Sequence, residues 1–300
     1  MFIGRLWNCS EGSIFEKNKP RIFFLHGSSQ NIMASSKKKD SNQYPGARSK
    51  NTGKGKGALP KNAQDLAKEN MPTFADKIMA FHRCLRYDGS LPPGFAVLNP
   101  MQQTPGVLDI MERFYQKYYH DHKVRKFIIG INPGRHGAGT TGIPFTDSKR
   151  LRTICGIDTQ LPSTHEVSAH FIYDMIAAYG GVKAFYQDVY IQSMFPLALV
   201  REGSSGRLVN CNYYDDPALT EAVMPYMCRQ LKAQVEFGVD QSTAYILGKK
   251  NAGFFARLNE KEKLFEKMVV LPHPRYIQQY RSKEKDLFID EYIQSLKQPA

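Results

Sequence analysis

The feature that most constrains this chain is the regular alternation of short apolar runs with amphipathic stretches after residue 120. "RKFIIGIN" (125–132) is continuously apolar with basic residues at its mouth, the pattern of a strand buried on both faces. Similar runs recur as "DVYIQSMFPLAL" (188–199), "TAYILG" (243–248) and "KMVVLPHP" (267–274). Helical stretches separate them. "STHEVSAHFIYDMIAAYGG" (163–181) has Ser163 and Glu166 at capping-box spacing and a Gly-Gly stop. "PALTEAVMPYMCRQLKAQVEFG" (217–238) reads as a long helix that Pro225 bends or breaks. "NAGFFARLNEKEK" (251–263) and "KEKDLFIDEYIQSL" (283–296) complete the set. Strands separated by helices imply parallel pairing with helices on both faces. The fold class expected is therefore α/β: a three-layer α/β/α arrangement on a central, mainly parallel four-stranded sheet.

Upstream, "TFADKIMAFHRCL" (73–85) and "VLDIMERFYQKYYH" (107–120) have helical apolar stripes, and "GSLPPGFAVLNPM" (89–101) reads as a turn-rich connector. Residues 34–62 are rich in Ser, Lys, Gly and Asn and read as disordered. Residues 1–32 precede a natural-looking start at Met33 and read as a start-site extension. The expected organisation is a basic tail over 1–70 and a single domain over 71–300. Of the formal charge of +13, residues 1–70 carry +8 (13 Lys/Arg against 5 Asp/Glu). Such a balance suits a polyanionic partner. The five cysteines show no metal-ligand spacing, which argues against a zinc or iron–sulfur site. No apolar run approaches the length of a membrane span, and the N-terminus lacks a signal-peptide core.

In a parallel sheet, ligands bind beyond the carboxyl ends of the strands. Asn132 follows the first strand, Ser193 and Pro196 lie in the second, and His273 follows the fourth, so topology alone points them to one crevice. The loop "GINPGRHGAGTTGIPF" (130–145) carries five glycines, whose bare backbone lets N–H groups approach a ligand closely. It has neither the Lys-Ser/Thr of a P-loop nor dinucleotide-site spacing. A phosphate cradle and a tight solvent loop both remain open on glycine content alone. Pro144-Phe145 closes the loop with an aromatic platform suited to a flat ligand.

That loop resembles the first catalytic motif of the uracil-DNA glycosylase superfamily, closest to the branch of single-strand-selective monofunctional uracil-DNA glycosylases and their bacterial relatives. "LPHPRY" (271–276) resembles the family's second motif, "SMFPLA" (193–198) its middle strand, and "LPPGFAVLNPM" (91–101) its upstream Leu-Pro…Asn-Pro segment. The resemblance implies an enzyme that flips a deaminated base out of DNA and hydrolyses its N-glycosidic bond, with no cofactor and no metal. Asn132 and His273 are then the catalytic residues. Asn132 orients water through its amide carbonyl, and His273 hydrogen-bonds the base oxygen where charge develops. Its protonation state is open. Phe145 would stack on the base; Gly130, Ile131, Gly134 and Ala138 would approach it; and Ser193, standing where the family has a base-reading Asn, would read it more loosely. Arg135, His136, Arg275 and Tyr276 are the expected DNA contacts, with Arg275 or Tyr276 as wedge and Tyr280 and Arg281 touching the strand. Lys149, beyond the first motif, reads as a surface charge. The expected partner is DNA containing uracil or other deaminated bases. The protein is expected to act as a monomer, off the membrane, in the bacterial cytoplasm at the nucleoid or in a eukaryotic nucleus. Two rivals remain: a metal-dependent nucleotide or sugar-phosphate hydrolase drawing on Asp147 and Asp174, and a non-catalytic nucleic-acid binder.

Overall fold

The computed structural model describes residues 71–298. The expectations for the basic tail, the start-site extension and the disordered segment lie outside the described residues. Four strands form the central parallel sheet: β2 (Arg125–Gly130), β3 (Val189–Ser193), β6 (Val239–Leu247) and β7 (Lys267–Leu271), in the order β3-β2-β6-β7. Phe127, Ile128 and Ile129 in β2 are fully buried, as their uninterrupted apolar run requires. The register against β6 shifts once, between Arg125 and Phe127; beyond that point the ladders are in step, with Ile129 paired to Gln192 on one side and Ile246 on the other, and Leu247 to Leu271. The chain leaves β2 toward β3 and later returns past it to β6. The order therefore reverses at β2, and the crevice beyond its carboxyl end is where a ligand site belongs.

Helices flank this sheet: α1 (Phe74–Cys84), α2 (Val107–Tyr119), α3 (Val167–Tyr179), α4 (Gly181–Asp188), α5 (Pro217–Val235), α6 (Lys249–Glu262), α7 (Pro274–Tyr280) and α8 (Lys285–Lys297). The three-layer α/β/α expectation is met. At the amino end of β2, opposite the crevice, Arg125 is wholly buried. It is ion-paired to Asp121 at 2.9 Å, donates to the carbonyls of Tyr186 and Lys123, and lies 4.7 Å from the ring centroids of both Phe74 and Tyr119. A buried guanidinium is tolerated because its donors are met and two π-faces cover it. The basic mouth of this strand is thus part of the core.

Four local expectations are corrected. The 188–199 run is two strands: β3 ends at Ser193, and after a turn β4 (Ala198–Glu202) leaves for a second, antiparallel sheet. That sheet, ordered β1-β4-β5, also takes β1 (Phe95–Leu98) from the supposed connector and β5 (Leu208–Asn210). α3 begins at Val167; Glu166 is its N-cap residue and makes no side-chain capping bond, so the Ser163–Glu166 box is absent. α5 is not broken at Pro225; the exposed proline sits inside a continuous helix that forgoes one backbone bond there.

Candidate active site

Two strand ends and the first-motif loop converge on a cavity of about 180 Å³, on the scale of a single ring rather than a large ligand. Asn132, Phe145 and His273 line it together, with Ile131, Gly134 and the backbone of Gly137.

Asn132 leaves β2 with its amide clamped at both ends. Nδ2 donates to the carbonyl of Cys211 at 3.0 Å and to that of Pro133 at 3.3 Å; Oδ1 accepts from the N–H of Tyr213 at 3.1 Å. Backbone partners of both kinds fix which end is oxygen. One lone pair of Oδ1 is left over. Behind the clamp, the Tyr213 hydroxyl donates to Asn251 Oδ1 at 2.8 Å, and Asn251 Nδ2 donates back to the carbonyl of Ile129 at 3.2 Å. Asn251 is fully buried in the first turn of α6. The amide is therefore braced against the very strand that presents it.

His273 is the N-cap of α7. Its Nδ1 accepts from the N–H of Arg275 at 3.1 Å, so the proton of the neutral ring resides on Nε2. Burial, and then the Arg275 guanidinium, lower its pKa to about 4. Near neutral pH it is a neutral imidazole with one N–H free to donate. Gly248, at φ +91° after β6, lets its backbone pass beside the histidine: a Cβ there would lie 3.4 Å from that of His273.

Phe145 sits in the left-handed region at φ +52°, where a bulky residue is an outlier that persists only when its surroundings over-determine it. They do here. Thr141 Oγ1 donates to the carbonyl of Thr146 at 2.6 Å, and the Thr146 hydroxyl bonds Pro144 O and Tyr173 Oη. The strained turn holds the ring with its centroid 6.3 Å from that of His273. Gly130 packs beneath it: a Cβ there would be in ordinary contact with Phe145 Cζ at 3.6 Å and would crowd Ser193 Oγ at 3.3 Å.

The other expected base contacts divide. Ile131 and Gly134 line the cavity; Gly130, Ala138 and Ser193 are buried behind its wall. Ser193 Oγ lies 3.3 Å from where a Cβ on Gly130 would stand, and Ser193 does not line the cavity, in contrast to its expected place as a base contact. His136 and Arg275 stand at the exposed rim. Arg135 turns aside: its guanidinium bonds Leu208 O and His136 Nε2, and its backbone N–H donates to Asn210 Oδ1. Tyr276 and Tyr280 project into solvent, rings 5.9 Å apart, and Arg281 pairs with Glu284. Lys149 is exposed.

Sequence reasoning missed the segment Asn210–Tyr213 and residue Glu166. Asn210, Cys211 and Asn212 line the cavity because the β4–β5 hairpin folds back on the first-motif loop. Only the dense "NCNYYDD" polar-aromatic run hinted at a site. Glu166, a cavity wall residue, has its pKa pushed up to about 8 by burial and then by the Asp147 carboxylate.

The carboxylates that a metal-dependent hydrolase would draw on are committed elsewhere. Asp147 caps the short helix Ser148–Thr153, pairs with Arg150 at 2.5 Å and accepts from the Glu166 N–H at 3.1 Å; Asp174 pairs with Lys285 at 2.7 Å.

Comparison with known proteins agrees with this geometry. The family model described as the uracil DNA glycosylase superfamily matches residues 116–297. Among solved structures, the chain is similar to wild-type SMUG2 of Pedobacter heparinus: 44% identity over 76% of this chain and 98% of that one, with a TM-score of 0.74. The search of curated proteins returns no match.

Proposed function

Since the chain belongs to the uracil-DNA glycosylase superfamily and is a DNA N-glycosylase acting on DNA, we propose that it is monofunctional, excising uracil and related deaminated bases and leaving an uncut abasic site for base excision repair. The observation that carries this reading is the facing of Phe145, held at φ +52°, and the neutral His273 across a one-ring cavity.

The extruded base stacks on Phe145. His273 donates a hydrogen bond from its Nε2–H, keeping the proton, to the ring carbonyl oxygen that gathers charge as the glycosidic bond lengthens. The C1′–N bond breaks first, its electron pair leaving with the base and an oxocarbenium-like sugar remaining. Asn132 cannot take a proton near neutral pH. Its free Oδ1 lone pair orients a water, whose oxygen bonds to C1′ and whose proton ends on the departing base. Among the described residues that line the cavity there is no lysine to attack C1′ as an amine, which supports a monofunctional reaction. His136 and Arg275 meet the phosphates.

The test is a labelled oligonucleotide bearing one uracil. The expected product is a strand that breaks only after alkali. Breakage without alkali would overturn the monofunctional assignment.

A further inference from the structure

Among the described residues Glu166 is the only carboxyl on the cavity wall, and the chemistry above gives it no task. Its place is built, not incidental. A Cβ on Gly137 would fall 2.1 Å from Glu166 Oε2 and 2.7 Å from Oε1, so the first-motif loop has a glycine where the carboxyl lies flat against it. The Glu166 N–H is held by Asp147 Oδ2, itself locked to Arg150. Yet Oε2 is buried and has no hydrogen-bond partner in the protein. Leaving a buried polar oxygen unmet is costly, and such groups mark places where something else completes them.

We propose that Glu166, as a neutral carboxylic acid, reads the edge of the extruded base, its O–H donating to a ring carbonyl oxygen and its C=O accepting from the adjacent ring N–H. This rests on the glycosylase reading and names its substrate class. A carboxylic acid offers a donor and an acceptor side by side. The matching partner is a lactam edge, –CO–NH–, which deamination creates in uracil, hypoxanthine and xanthine alike. An ionised carboxylate presents only acceptors and repels the ring oxygen. The groups facing Glu166 decide its state. Burial and Asp147 favour the proton, Arg150 and Arg275 oppose it, and His165, His170 and the neutral His273 stand on the same side. The net result, a pKa raised to about 8, keeps the acid form at neutral pH. The edge reading assigned from sequence to Ser193 passes to Glu166.

The test uses the full chain, wild type, Glu166→Gln and Glu166→Ala, in single-turnover excision of uracil, hypoxanthine and xanthine from pH 6 to 9.5. Glutamine keeps a donor beside an acceptor and cannot ionise. Glu166→Gln should stay within about threefold of wild type at pH 7 and lose the decline that wild type shows as pH rises through about 8. Glu166→Ala should lose about ten- to a hundredfold on every base. It should bind DNA carrying an abasic site as wild type does, since the missing partner is the base; weakened abasic binding would make Glu166 a structural brace and overturn the assignment. Glu166→Gln as slow as Glu166→Ala would make the residue a carboxylate base and also overturn it. So would an active wild type with Glu166→Ala unimpaired, leaving the glycosylase reading intact. A wild type inactive on all three bases would remove both.

Discussion

Asn132→Asp looks like the gentlest change at this site, and other members of the superfamily carry a carboxylate at the first motif. Here it should fail, for a reason visible in the clamp. Nδ2 donates to Cys211 O at 3.0 Å, and an ionised oxygen in its place would face that carbonyl at the same distance. The Tyr213 N–H bond survives, but both bonds donated by Nδ2 are lost, and the carbonyl of the buried Cys211 is orphaned, which costs about 1–3 kcal/mol. The new carboxyl escapes by keeping its proton, which lifts its pKa about one to two units above the ordinary aspartate value. For a folded region of this size, the loss is a drop in Tm of about 2–10 °C. The deficit relative to wild type should therefore be full at pH 8 and shrink at pH 5, where the protonated acid donates to Cys211 O. Excision at pH 8 should fall at least about tenfold, since the displaced oxygen no longer holds water in line. Thermal unfolding and single-turnover excision, each at both pH values and read as a difference from wild type, check this. Equal Tm at pH 8 with a rate equal to or above wild type would refute the clamp as the determinant.

Other perturbations have signs fixed by the structure. His82 and His273 are held neutral, each with its pKa lowered to about 4, by burial foremost. The unfolded chain binds protons at these sites first, so stability is complete above pH 6.5 and lost as pH falls toward 4, by about 3 kcal/mol for the wholly buried His82 and less for His273 at the cavity; denaturant titrations from pH 7 to 4 should show the fall, and His82→Gln should reduce it. Glu166 runs the other way: its raised folded pKa makes stability present at acid pH and lost as pH climbs from 4.5 through about 8, so Glu166→Gln should be the more stable protein at pH 9. Arg125→Met strands the half-buried Asp121 and three further acceptors, the carbonyls of Tyr186, Lys123 and Tyr118, and should cost about 3–5 kcal/mol in urea unfolding; a loss below 1 kcal/mol would mean the guanidinium is no keystone. Gly137→Ala drives a methyl into the Glu166 carboxyl, the far end of a flexible side chain that must swing aside, and should lower excision activity with a stability loss below about 1 kcal/mol, both measured on the same preparation.

The parallel sheet was legible because β2, β3 and the second half of β6 are buried on both faces and read as unbroken apolar runs, and the half-exposed edge strand β7 keeps an apolar run of its own. The second sheet was not. Leu208, Val209 and Asn210 are all exposed and form only three residues of strand, and "FAVL" sits among prolines and glycine that signal turns. The 188–199 run hid a change of sheet, because periodicity records burial and not the partner. Asn132, Phe145 and His273 could be read at once, since strand ends in a parallel sheet share one side and the motifs mark them. The clamp on Asn132 could not, because Cys211 and Tyr213 reach it only through a hairpin whose return path no local pattern encodes. Glu166 misled for the opposite reason: capping-box spacing is a local rule, and tertiary packing against Gly137 overrode it.

The most direct measurement is excision from an oligonucleotide with a single uracil, in EDTA, by the full chain and by Asn132→Ala. Wild type should generate alkali-labile sites without added metal, and Asn132→Ala should be slower by about a hundredfold while still binding the DNA. Equal rates for the two proteins, or a wild type silent on uracil, hypoxanthine and xanthine, would contradict a site in which the clamped amide, the neutral imidazole and the strained phenylalanine act on an extruded base.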